Sequence, residues 1–207
     1  MISPKRLATN TNPKETRIMA KAPRTPTVKA TWKRIELFLA EHGPTQAKSL
    51  APGATDAQIE KLESHIGIAL PKQLRDSLAI HDGQKEECDF IPDGYGSFYF
   101  LRLCEIRREW DSWNSLMKYD EFDDSNAQTD AGVAQSWWNR GWIPFASNGA
   151  SDSLCVDLAP ARGGKKGQVI MMRHDDPRRP ILAPTFAAWL HQLAESLKAG
   201  EMDEYLE

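Results

Sequence analysis

The chain is poor in cysteine. Its 207 residues hold only Cys88, Cys104 and Cys155, an odd set without CxxC spacing, which excludes the paired frameworks of small disulfide-stapled domains and fits reduced, buried thiols in a cytosolic protein. Long apolar runs are missing too. The richest, at 98–103, is broken by Arg102 far short of the ~20 residues that a membrane span needs. No internal repeat is evident, and 41% hydrophobic with 27% charged residues excludes collagen-like, coiled-coil and wholly disordered chains. A chain this long buries about 70% of its unfolded surface, so its core needs neither metal nor staples.

Catalytic signatures are equally scarce. His81-Asp82 invites a metal-hydrolase reading, yet His42, His65, His174 and His191 show no ligand spacing, so no metal is expected. The run Gly163-Gly-Lys-Lys-Gly167 lacks the order of a phosphate-binding loop and reads as a hairpin turn. Ser115 and Lys118 have S-x-x-K spacing without the rest of that signature, and His191 with Glu195 lacks HExxH and reads as a solvated pair. No catalytic constellation survives. The expectation is a protein that is not an enzyme and carries no cofactor.

What is present is an uneven charge. The net charge of −3 conceals a +6 stretch at residues 1–30, which leaves −9 on residues 31–207. Such a body repels nucleic acid and steers toward a basic partner. Residues 1–29, with Pro4, Pro13, Pro23 and Pro26 and little apolar periodicity, read as a flexible basic tail ahead of a single domain over 30–200. The tail has no secretory core, a weak transit-peptide character, and in Met19 a second possible start.

Within the domain, apolar spacing predicts a helix from Trp32 to about Gly43. A second opens on the capping box Thr55/Gln58, lines up Ile59, Leu62 and Ile66, and closes at Gly67; a third starts at Pro71. A strand is predicted at 97–103, a helix at 104–118, an exposed acidic loop at 119–132, and strands at 142–146, 153–158 and 168–173. A last amphipathic helix uses Phe186, Trp189, Leu190, Leu193 and Leu197. The fold class is therefore α+β, an antiparallel sheet flanked by helices. Most of the seven tryptophans belong to the core, but adjacent side chains diverge, so one of Trp137 and Trp138 should reach the surface, and Trp138 is assigned to partner binding.

Several segments, taken in order, resemble the SUKH superfamily, the domain shared by bacterial toxin-immunity proteins and a fungal cell-wall assembly regulator. They are Trp32-Lys-Arg-Ile-Glu36, Leu50-Ala-Pro-Gly-Ala-Thr-Asp-Ala-Gln-Ile59, Glu63 to Leu70-Pro71, His81-Asp82-Gly83-Gln84, Trp142-Ile-Pro-Phe-Ala146 with Asn148-Gly149, Leu154-Cys-Val-Asp157, and Gly167-Gln-Val169. Where the family often has Gly-Asp after the Asn-Gly turn, this chain has Ser151-Asp152. The resemblance implies a non-enzymatic, cofactor-free domain whose sheet supports a cleft for protein partners.

The leading reading is a cytoplasmic immunity protein that occludes a basic toxin domain; the alternative is a regulatory scaffold for cell-wall or envelope assembly. The partner footprint is placed on Glu86, Glu87, Asp89, Asp93, Asp120, Asp123 and Asp124, because loops on a rigid sheet carry recognition and carboxylates suit a basic cleft. Neither nucleic acid nor membrane is expected as a partner, and the oligomeric state stays open.

Overall fold

The computed structural model describes residues 25–85, 88–92, 97–118 and 124–201, and its helices begin where the sequence supplies caps. Thr27 accepts from Ala30 N and opens α1 (Val28–His42), which stops at Gly43. Pro44 then starts a short helix, α2 (Pro44–Ser49), that the apolar spacing did not reveal because six residues span less than two turns. Both halves of the predicted capping box form at α3 (Asp56–Ile66), and Gly67 closes it at φ 72°. Next comes α4 (Lys72–Leu78), with Pro71 as its N-cap. Glu63 ties the two together, accepting from Leu70 N at 2.7 Å and from Arg75.

The sheet is antiparallel in the order β1 (Ile91–Pro92), β2 (Ser97–Phe100), β4 (Trp142–Ser147), β5 (Ser153–Asp157), β6 (Gln168–Met172), β8 (Ile181–Ala183). A two-residue parallel pair, β3 (Gln128–Thr129) with β7 (Arg178–Arg179), lies beside it. Pro144 falls inside a central strand, where it cannot donate to a ladder. The register of β4 against β5 shifts between Pro144 and Ala146, and this bulge accommodates the proline. The segment predicted as a strand to residue 103 turns earlier, because α5 (Leu103–Leu116) starts there with Glu105 capping Arg102 N and Asp82 capping Leu103 N.

Every residue of β2, β4, β5 and β6 is buried, so helices and loops shield the central sheet on both faces. Helix α6 (Phe186–Lys198) brings Phe186 and Trp189 against Phe145, with ring centroids 5.1 and 4.7 Å away, and Phe100 completes this cluster. A second cluster stacks Trp113 of α5 on Trp138 at 5.7 Å, with Trp142 edge-on to Trp138. Helix α1 packs on α6 and α4, and α3 packs on α5.

Three expectations are corrected here. Trp138 is only 4% exposed; its stacking in the second cluster removes it from any partner surface, and the half-buried member of the pair is Trp137. Cys104 is exposed, since it sits in the first turn of α5 facing away from the core, whereas Cys155 is buried and its thiol is pushed up by that burial. Helix α1 begins at Val28, which is buried, so the end of the stretch assigned to the tail already belongs to the domain.

Candidate functional site

The four residues of the His81-Asp82-Gly83-Gln84 motif build a joint between the helices and the sheet. His81 Nδ1 lies 2.9 Å from the Ala51 carbonyl oxygen, and Nε2 lies 2.9 Å from Glu36 Oε1 on α1. Asp82 caps α5 by accepting from Leu103 N at 2.8 Å. Gly83 has φ 63°, and a Cβ there would come within 2.4 Å of the Leu101 carbonyl carbon, so only glycine fits. Gln84 is 2% exposed and acts as a substitute strand residue. Its backbone N donates to Phe100 O, its Oε1 accepts from Phe100 N at 2.7 Å, and its Nε2 donates to Ser49 Oγ and Cys88 O.

The second motif turn is also a hydrogen-bonded unit. Asn148 Oδ1 accepts from Ala150 N and Asp152 N, and its Nδ2 donates to Asp152 Oδ2 at 3.0 Å. Gly149 has φ 74° and Ser151 has φ 71°. Ser151 is thus a non-glycine residue held left-handed, at the position where the resembling family often has glycine. Asp152 Oδ1 accepts from His174 N and lies 2.8 Å from His174 Nδ1. Asp152, His174 and Asp175 could present ligand atoms within 4.8 Å of one another, but Asp152 already spends both oxygens on Asn148 and His174.

Of the acidic residues expected to meet a partner, Glu86, Glu87, Asp93, Asp120 and Asp123 lie outside the described residues. Asp89 accepts from Ser97 Oγ at 2.7 Å, and Asp124 accepts from Ser136 Oγ and Trp137 N. Both brace their own loops. The Gly163-to-Gly167 run is the β5–β6 turn, packed so closely that a Cβ on Gly164 would fall 2.0 Å from Gly132 O. His191 and Glu195 are a pair on α6, as read from their spacing, and Arg34 of α1 joins both.

A buried cation went unread in the sequence. Arg179 is 0% exposed and donates to the carbonyls of Trp137, Asp176 and Arg178, with its guanidinium 5.0 Å from the Trp137 ring centroid. Burial pulls its pKa down to about 10, which leaves it charged at neutral pH. It pins the 130–141 segment to β7. Only the presence of three carbonyls around it makes burial tolerable, and nothing in a dipeptide Arg178-Arg179 foretells which arginine turns inward.

An open groove of about 590 Å³ lies between α3 and the first half of α5. Gln58, Lys61 and Leu62 form one wall, residues 102–104, 107, 108, 111 and 112 the other, and Asp82 of the motif turn reaches into it. Four cations, Lys61, Arg102, Arg107 and Arg108, face two carboxylates, Asp82 and Asp111. Both carboxylates are engaged internally: Asp82 on Leu103 N, and Asp111 on His65 Nε2 at 2.8 Å and Arg107 Nε at 3.5 Å. The arginines leave 44–63% of their side chains exposed. The lining thus carries a formal charge of +2, although residues 31–207 sum to −9. Nothing in the sequence marks it, because Lys61 lies on α3 and the arginines at the start of α5 about 40 residues later, each in what looks like an ordinary solvated stretch.

Among the described residues no helix is long and apolar enough to cross a membrane. Comparison with known proteins matches residues 53–192 to the SMI1 / KNR4 family (SUKH-1). The chain is 30% identical to the "Cell wall biosynthesis/cell cycle regulator smi1" of Schizosaccharomyces pombe, over 85% of this chain and 37% of that protein. It is 26% identical to the "Glucan synthesis regulatory protein" of Neurospora crassa, over 84% of this chain and 39% of that protein, and 22% identical to the "Cell wall assembly regulator SMI1" of Saccharomyces cerevisiae, over 82% and 40%. The chain thus spans about two fifths of the length of these relatives. These relatives carry regulatory descriptions, so they favour the regulatory alternative over toxin immunity, and the matched stretch contains both motif turns and all four cations of the groove. The chain belongs to the SMI1/KNR4 (SUKH-1) family.

Proposed function

We propose that this protein is a regulatory, non-catalytic binding module for cell-wall or envelope synthesis, acting by holding a partner protein. The observation that carries the reading is the open groove beside the His81–Gln84 joint, within the stretch it shares with regulators of wall and glucan synthesis. The joint itself is consumed by internal bonds, so its residues set the shape of the groove, with Asp82 alone lining it. A rigid scaffold with recognition side chains along one recess suits a partner that binds and releases.

Disrupting the gene in its own host should increase sensitivity to wall-perturbing agents and lower incorporation of wall polysaccharide. An unaltered wall in the disruptant refutes the regulatory reading. Loss of protection against a co-expressed toxin in that same strain would restore the immunity reading instead.

A further inference from the structure

We propose that the α3–α5 groove binds an anionic peptide segment of the partner, gripping its side-chain carboxylates or phosphates with Lys61, Arg102, Arg107 and Arg108. The inference rests on the regulatory-module reading above. Lys61 of α3, Arg102 at the N-cap of α5, and Arg107 and Arg108 within it converge on one recess, and both acids there already have partners in the fold, Asp82 in Leu103 N and Asp111 in His65 and, through one of its nitrogens, Arg107. Arg102 pairs with Asp82 through a charge contact only, its buried Nε lying 3.9 Å from Oδ2 and beyond hydrogen-bond reach, and the side chain as a whole is 44% exposed, so the guanidinium can also meet a ligand. Arg108 Nε is equally distant, at 4.0 Å, from Glu109. Guanidinium groups bind carboxylate and phosphate oxygens in paired, directional bonds, which a groove with three arginines can offer at successive points.

The shape and the surrounding charge select the ligand class. A volume of about 590 Å³, open to solvent, admits a short stretch of peptide. The net −9 on residues 31–207 repels an extended polyanion such as a nucleic acid or an anionic membrane, whose charge would press against the body beyond the groove. A short segment meets only the local positive field. Local attraction of this kind at partly exposed groups is weakened by salt.

The test uses the full chain and three fluorescein-labelled peptides of one length: Gly alternating with Glu, Gly alternating with phosphoserine, and Gly alternating with Gln. Anisotropy titrations should show both anionic peptides binding about tenfold or more tighter than the Gln peptide, with affinity falling as salt rises. The relative affinity of the Glu and phosphoserine peptides then identifies which anion the groove is built for. The double variant Arg107→Glu/Arg108→Glu should lose about tenfold or more, and Lys61→Gln a smaller factor, while Lys165→Glu/Lys166→Glu on the β5–β6 turn, which does not line the groove, stays within about twofold. The two arginines are exposed, so circular dichroism should show the double variant folded.

Equal binding of the Gln peptide, or equal losses in the groove and the turn variants, overturns the proposal. In the host, a disruptant with a damaged wall that is fully rescued by Arg107→Glu/Arg108→Glu overturns the groove while leaving the regulatory reading standing. Groove-dependent peptide binding together with an intact wall in the disruptant supports the anionic site and overturns the regulatory reading.

Discussion

Replacing Gln84 tests whether the His81–Gln84 motif is a structural joint. The side chain is 2% exposed, and its Oε1 is the acceptor for Phe100 N, a buried strand amide. Gln84→Ala leaves that amide without its acceptor at about 1–3 kcal/mol, and takes one donor from Cys88 O, so a total loss of about 2–4 kcal/mol is expected. With a urea m-value of roughly 2 kcal/mol/M, the unfolding midpoint followed by tryptophan fluorescence should fall by about 1–2 M. Gln84→Glu sharpens the test. Its carboxylate could still accept from Phe100 N, but its second oxygen would face Cys88 O and Ser49 Oγ, where the amide now donates. Burial would raise the folded-state pKa of that carboxyl above its unfolded value, so the protonated form is favoured in the fold. The deficit relative to the natural protein should therefore be largest near pH 7 and shrink as pH falls toward 5. A midpoint loss below about 0.3 M for Gln84→Ala, or a Gln84→Glu deficit that grows on acidification, would refute the joint.

Trp189→Ala removes the centre of the α6 cluster against Phe100, Phe145 and Phe186 and should cost about 3–5 kcal/mol by the same urea assay; unchanged stability would mean that α6 is not held by this face. Ser151→Gly should relieve a left-handed residue at φ 71° and raise stability by about 0.5–1 kcal/mol after the entropy of the unfolded glycine is deducted, whereas a lower thermal midpoint would show that Ser151 is not strained. Deleting residues 1–24 should leave the thermal midpoint unchanged, while deleting 1–29 removes the Thr27 cap and buried Val28 and should cost about 2 kcal/mol or more; equal midpoints for the two truncations would place the domain boundary after residue 29.

The amino-acid sequence alone determined the local events. Caps, periodicity and turn residues act over three to seven positions, and so Thr55 with Gln58, Gly67, Pro71, the strands from Trp142 to Met172 and the apolar face of α6 were all legible. The order of the family-like segments was legible for the same reason. Elements of two to six residues, such as α2, β3 and β7, carry too little pattern to register. Tertiary structure decided which of two adjacent side chains turns inward, because the choice between Trp137 and Trp138, or between Arg178 and Arg179, depends on partners contributed from elsewhere: Trp113 and Trp142 for the ring, and the carbonyls of Trp137 and Asp176 for the guanidinium. It also decided the sign of the groove. Overall charge is a sum over the chain, whereas a field in a recess depends on which charges meet there, and only the packing of α3 on α5 brings Lys61 opposite Arg107 and Arg108 and sets Asp111 against His65.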